Sequence, residues 1–223
     1  LSCKQTKGNC DTVNIHPWPI QSVFAMTNIE TKRSEEIFLQ FLTSHLTLSA
    51  KEQQSLLALP IFKTFPKGTT LFKEGDFTKE YYLVIKGGIR TYLLVDGDDI
   101  TTEFYTETDS LIPASTASKR PSNSYATCFE DSMVVVSTED VEKKVVNDIP
   151  AFASLCRKFS ENILAEKQQA HDDYRTLTPE QRYLQLIEER PGLIQRIPQY
   201  HLASYLGVRP ESLSRIRKRL TQK

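Results

Sequence analysis

No run of about 18 consecutive apolar residues occurs in the 223-residue chain, so no membrane-spanning helix is predicted. The first 25 residues lack a continuous apolar h-region and a small-residue cleavage site, and secretion is therefore not predicted. They also look unlike the rest of the chain. Met26 opens a polar stretch that leads into the amphipathic "EEIFLQFL", so Met26 is expected to be the natural start and residues 1–25 a leader or non-native segment. Cysteine is scarce: Cys3, Cys10, Cys128 and Cys156 lie at irregular spacings that suggest no disulfide framework, and a reducing cytoplasm is the expected setting. No glycine-rich loop that would cradle a phosphate is present, and no nucleophile carries its own base, so the chain is not expected to be an enzyme.

Net charge is absent as well, but only in sum. The chain has 28 Lys or Arg and 28 Asp or Glu. From Pro191 to the end there are seven basic residues (Arg196, Arg209, Arg215, Arg217, Lys218, Arg219, Lys223) against one acid, Glu211, which leaves residues 1–190 with 21 basic and 27 acidic groups. A basic end on an acidic body suits duplex DNA, whose phosphates are neutralised by Lys and Arg. The same end, "QYHLASYLGVRPESLSRIRK" from Gln199 to Lys218, reads as a helix-turn-helix. Ala203 is the small residue where two helices touch, and Gly207 supplies the positive-φ turn. Leu202, Leu206, Val208, Leu213 and Ile216 fall at inward positions. Pro198 and Pro210 each fit the first position of a helix.

The middle of the chain is predicted to be a β-roll. Runs rich in Thr, Tyr, Phe, Val and Ile are punctuated by "PKG" at 66–68, "EGD" at 74–76, "KGG" at 86–88 and "DGDD" at 96–99, which places strands at 69–73, 81–86, 89–95, 100–106, 124–129 and 133–137. A helix over about 34–48 precedes it. None of the four histidines, His16, His45, His171 and His201, lies in the roll, so no metal centre is expected there. Beyond Asp148 the pattern becomes helical. Phe152, Leu155, Phe159, Ile163, Ala170 and Tyr174 form one stripe on a helix from 151 to about 175, opposite Arg157, Lys158, Glu161, Glu166 and Lys167. Such a helix is roughly 38 Å long, more than a small roll can cover, and a second copy of itself is the expected partner for the stripe. Thr178-Pro179-Glu180-Gln181 forms a capping box that starts a new helix, so the hinge falls near 176–178. The expected units are the leader or non-native segment 1–25, a roll over 34–149, a dimerisation helix over 150–176 and a helix-turn-helix domain over 177–223.

A roll with glycines at Gly68, Gly75 and Gly87, a long helix and a C-terminal helix-turn-helix together resemble the Crp/Fnr family of bacterial transcription regulators, over roughly Glu35 to Lys218. The run "IPQYHLASYLGVRPESLSRIRK" is similar to the Bacteroidetes type. The resemblance implies an α+β fold: an N-terminal double-stranded β-helix or jelly roll of the cyclic-nucleotide-binding kind, a long dimerisation helix, and a helical, winged-helix-like DNA domain. It implies a homodimer on double-stranded DNA with an inverted-repeat site, and RNA polymerase and a small-molecule effector as further partners. Glu211 and Arg215 match family positions that contact bases, while Pro210 replaces an arginine used there in some members. Arg209, Ser214 and Lys218 also point outward, and Arg217, Arg219, Lys223 and Ser212 are expected to meet phosphates.

Family members that bind cyclic AMP carry a Gly-Glu-Leu turn followed about ten residues later by Arg-Ser or Arg-Thr. The matching stretch here reads "SLIPASTASKRPSNSYA". Ser110, Leu111, Ile112 and Pro113 occupy the turn without its Glu. Pro121 and Ser122 fall where Arg-Ser would lie, with Arg120 one residue early. These seven residues are read as a vestigial ligand pocket, and cyclic AMP binding is not expected. Iron-sulfur sensing would need a close cysteine cluster, which Cys3 and Cys10 do not supply. No cofactor is predicted. The alternative to a regulator is a ligand-sensing module, responding to a cyclic nucleotide or another metabolite, with weak or lost DNA binding.

Overall fold

The computed structural model describes residues 28–221. The expectations about residues 1–25, Met26 and Lys223 lie outside the described residues. Two helices come first, α1 (Asn28–Thr43) and α2 (Ala50–Leu57). A capping box starts α2: Ser49 Oγ accepts from the Glu52 N–H, and the Glu52 carboxylate accepts from the Ser49 N–H.

Eight antiparallel strands then build a jelly roll. They are β1 (Phe62–Phe65), β2 (Thr70–Phe72), β3 (Glu80–Lys86), β4 (Ile89–Val95), β5 (Asp98–Tyr105), β6 (Ser110–Leu111), β7 (Tyr125–Cys128) and β8 (Ser132–Thr138), with a short helix α3 (Ala114–Ser118) after β6. One sheet runs β1-β8-β3-β6 and the other β2-β7-β4-β5. Phe72, Tyr82, Val84, Ile89, Val134 and Val136 pack between the two sheets. On the other face of the first sheet Ile85, Met133 and Val135 pack against Phe38 and Leu42 of α1 and Leu56 of α2. Burial on both faces is why β8 reads as a continuous valine run and not as an alternation. Gly87 holds φ +93°, and a Cβ there would lie 2.5 Å from the Asp131 carbonyl oxygen, so only glycine turns β3 into β4 at this point.

Thr138 caps α4 (Glu139–Asp148), whose first turn carries Glu139, Asp140 and Glu142 at the positive end of the helix. The long helix α5 (Ala151–Thr176) comes next, then α6 (Pro179–Glu189) on its Thr178–Gln181 capping box, α7 (Pro191–Arg196), α8 (Gln199–Tyr205) and α9 (Pro210–Thr221). The fold class is the one expected from the sequence.

Several details differ. β1, β6, α3 and α4 were not expected. β6 is only two residues long, and helix begins at Glu139 and not beyond Asp148. α1 starts at Asn28 and ends at Thr43, earlier at both ends than the predicted 34–48. Pro198 is the residue before α8, with extended ψ 137°, not its first helical residue, whereas Pro210 does open α9.

The stripe on α5 needs a larger correction. Leu155 is buried in the chain's own core, with Phe152 and Phe159 packed on it, and Phe159 stacks on Phe41 of α1 at 5.4 Å. Tyr174 lies beneath the Arg182 guanidinium, 4.2 Å from the ring centroid. Phe152, Leu155 and Phe159 are engaged within one protomer, because α1 covers the first half of the helix, whereas Tyr174 is still 58% exposed. Lys167, expected on the polar face, reaches inward to Glu103 and over the Tyr105 ring. Ala170 is exposed, Ile163 is half-buried, and the most exposed apolar side chain of α5 is Leu164, 70% exposed.

Candidate nucleic-acid interface

The stretch read as a helix-turn-helix is two helices, α8 and α9, joined by a turn at Gly207. Leu202, Ala203, Leu206, Leu213 and Ile216 are buried in one cluster with Tyr183 and Leu186 of α6 and Leu193 of α7, and Val208 packs against it half-buried. Gly207 makes the turn at φ +67°, and the Val208 N–H donates to the Ala203 carbonyl at 3.0 Å. A Cβ on Gly207 would sit 2.9 Å from the Tyr174 hydroxyl, so the turn and the end of α5 approach closely.

With one face of α9 sealed, the other is left to solvent. Arg209, Glu211, Ser214, Arg215, Arg217 and Lys218 are exposed. Ser212 is half-buried and accepts from the Arg215 guanidinium at 3.2 Å. Arg219 pairs with Glu180 at 2.6 Å, so its charge is partly neutralised within the chain. Arg196, one of the seven basic residues of the C-terminal end, is held within the chain. It donates to the Gly87 carbonyl, to both Glu107 oxygens at 2.8 and 2.9 Å, and to Glu130 at 3.0 Å. Burial alone would raise the Glu107 carboxyl, but hydrogen bonds from Arg196 and the Gly87 N–H together hold it below the ordinary range.

Arg196 belongs to a larger contact that joins the helix-turn-helix to the roll. β5 is an edge strand, and α8 covers it. The Thr101 N–H donates to Ser204 Oγ at 2.9 Å, and the Ser204 hydroxyl donates to the Asp99 carbonyl at 2.9 Å, so one serine satisfies a strand-edge donor and acceptor. Phe104 of β5 meets Phe129 edge-on at 5.8 Å and Tyr205 of α8 at 5.3 Å. Arg190 donates to the Phe104 carbonyl, to Thr106 and to Asp109, the last at 2.6 Å. His201 faces buried Arg90, which is paired with Asp99. Burial first, and then the Arg90 guanidinium, push the His201 imidazole down to about 4. None of Arg90, Asp99, Arg190, His201 and Ser204 was singled out from the sequence for this contact. Each makes a long-range pairing, for which a single chain read in order gives no period or spacing.

The residues read as a vestigial ligand pocket lie on β6 and on either side of α3. Ser110 and Leu111 form β6, and Pro113 precedes α3. Arg120 and Pro121 are exposed, and Arg120 is turned out to solvent. Ser122 is buried, but its hydroxyl donates to the Ser124 carbonyl and its backbone pairs with Gly75 and Asp76. Ser110, Leu111 and Ile112 do line a cavity, of about 220 Å³, but on the outer side of the first sheet. Among the described residues no group of three His, Cys, Asp or Glu is placed to hold a metal.

Residues 62–147 match the family of the cyclic nucleotide-binding domain. The matched stretch takes in all of the roll from β1 to β8. Solved structures extend the likeness past it. FixK2 from Bradyrhizobium japonicum is similar at TM-score 0.57 and 18% identity, over 72% of this chain and 84% of that one. A CooA mutant from Carboxydothermus hydrogenoformans is similar at TM-score 0.59 and 13% identity, over 81% and 83%. The c-di-GMP responsive global regulator CLP from Xanthomonas campestris is similar at TM-score 0.54 and 16% identity, over 78% and 92%. No curated protein matches the chain. The roll, the long helix and the C-terminal helices thus share the fold of these solved structures. No helix among the described residues is long and apolar enough to cross a membrane.

Proposed function

We propose that the protein is a sequence-specific DNA-binding transcriptional regulator that acts as a homodimer on an inverted-repeat site. The observation that carries this reading is α9: its apolar side is sealed into the helix-turn-helix core, while Arg209, Glu211, Ser214, Arg215, Arg217 and Lys218 stand exposed along the other side. Arg215 is the side chain suited to the two acceptors of guanine, and Glu211 can accept from cytosine N4. Arg209, Arg217 and Lys218 suit phosphates. Two such helices in a two-fold dimer enter successive major grooves about 34 Å apart. The architecture shared with Crp/Fnr-type regulators supports the reading, which puts the protein in a bacterial cytoplasm with RNA polymerase as a further partner.

The cyclic nucleotide-binding roll does not take cyclic AMP in this reading. Its turn lacks the ribose-binding Glu, Arg120 points to solvent, and aromatic side chains including Phe72 and Tyr82 fill the space between the sheets.

Selection of duplexes from a random library by the full chain, in parallel with Arg215→Ala, tests the proposal. The expected outcome is an inverted repeat with half-sites one helical turn apart. Arg215→Ala is expected to bind about 1–3 kcal/mol more weakly and to lose preference at one base pair per half-site. A wild-type protein that enriches no sequence would refute the function, and an Arg215→Ala that weakens all sequences equally would move Arg215 to a phosphate.

A further inference from the structure

The cavity of about 220 Å³ lies on the outer side of the first sheet, with Tyr82 and Leu111 of the inner core at its margin. Its floor is the outer face of the first sheet, with Leu83 and Val135, and its walls are Phe38 of α1 and Phe152, Phe159 and Ile163 of α5. Polar side chains are few here, and they gather on one side. Glu142 of α4 faces the cavity with Tyr81, Ser137 and Cys156. Burial first, and then the nearby Glu142 charge, keep the Cys156 thiol protonated. A carboxylate has about four lone-pair sites, so Glu142 retains acceptor capacity toward the cavity. Burial and the nearby Glu142 charge also keep the Tyr81 hydroxyl protonated.

We propose that this cavity is a binding site for a small apolar molecule that carries one hydrogen-bond donor, the apolar body lying against Leu83, Val135 and Phe159 and the donor on Glu142. Size sets the class. An engineered cavity of about 150 Å³ holds benzene, with its six non-hydrogen atoms. At the same packing this cavity takes about nine. Ligand pockets combine an apolar lining with a few fixed polar groups in this way. The site is distinct from the turn at Ser110–Pro113 as read for a cyclic nucleotide, because that ligand would enter between the sheets. It holds whether or not α9 reads DNA. One wall also lies close in sequence to the interdomain contact: Ser110 and Ile112 line the cavity, and Glu107 and Asp109 just before them hold Arg196 and Arg190.

Indole and indene make the test, because they share a nine-atom ring frame and differ in one N–H donor. Calorimetry and saturation-transfer NMR on the full chain are expected to show indole binding once, with a Kd below about 1 mM, and indene several-fold more weakly. Ser160→Phe places a ring in the cavity from a side chain whose hydroxyl serves only the Cys156 carbonyl of its own helix, and it is expected to weaken indole at least about tenfold. Glu142→Leu keeps the apolar lining and removes the acceptor, so the preference for indole over indene should fall to about one. The proposal is overturned if indole does not bind, if cyclic AMP displaces it, or if folded Ser160→Phe, checked by thermal melting, binds it unchanged. It is equally overturned if Glu142→Leu leaves the indole preference intact.

Discussion

His201 shows how a single residue can make the interdomain contact sensitive to acid. Its ring packs on Tyr200 at 4.0 Å, near the Arg90–Asp99 pair, in an environment that opposes a second cation. The folded value is about 4 against an ordinary 6.5. Between those values the unfolded chain binds the proton and the folded chain does not, so stability is full above about pH 6.5 and is lost as pH falls toward 4. After discounting for the half-exposed position, the loss is on the order of 1–2 kcal/mol. His201→Gln removes this titration and leaves every carboxylate in place. Urea unfolding at pH 7 and pH 4.5 should therefore show a smaller acid loss in His201→Gln than in the wild type. Equal losses would mean that the ring is solvated enough to protonate freely.

At the scale of elements, legibility followed local chemistry. Helices α8 and α9 and the turn between them were readable because Ala203, Gly207 and the inward leucines lie within a stretch of twenty residues. The start of α6 was readable because its cap is four residues long. Strands β3, β4 and β8 were marked by their apolar content and flanking turns. β6 was not, because two residues carry no period, and its place beside β3 is set only by the Leu83–Ser110 and Tyr82–Leu111 pairs. α4 was hidden because its "EDVEKKVVND" run has few apolar residues and gains its stability from packing Val145 beside Leu56. The stripe on α5 was legible as a stripe but not as to partner. Periodicity shows that a face is covered and does not say by what, and α1 turned out to cover half of it. If α5 pairs with a second copy, Leu164 is the side chain to disrupt. It is 70% exposed in the protomer, so Leu164→Glu should leave monomer stability within about 0.5 kcal/mol. The same charge buried at a two-fold axis should convert dimer to monomer in sedimentation experiments at micromolar protein. A dimer of unchanged strength would place the interface away from this part of α5.

For the whole molecule, the decisive arrangement is that helices α6 to α9 do not hang from α5 alone. Arg190 and Arg196 flank α7 and reach back to the roll at Asp109 and at Glu107 and Glu130, while Ser204 closes the edge of β5. The acidic excess of the first 190 residues therefore has a structural use, since part of it receives Arg190 and Arg196. Arg196 is the centre of this clasp, and its loss leaves Glu107 and Glu130 near each other with no cation between them. Arg196→Ala is expected to cost about 1–3 kcal/mol, because the partners stay partly buried and unpaired. The location of that loss separates a clasp from a merely stabilising pair. Hydrogen exchange should show the amides of α8 and α9 opening with much the same free energy as β3 and β8 in the wild type, as one cooperative unit. In Arg196→Ala the α8 and α9 amides should exchange faster while β3 and β8 keep their protection, because what is lost is docking and not the packing of either part. A uniform loss across both would show that Arg196 stabilises the roll itself, and the helix-turn-helix would then be held by Ser204, Arg190 and the Phe104–Tyr205 contact without it.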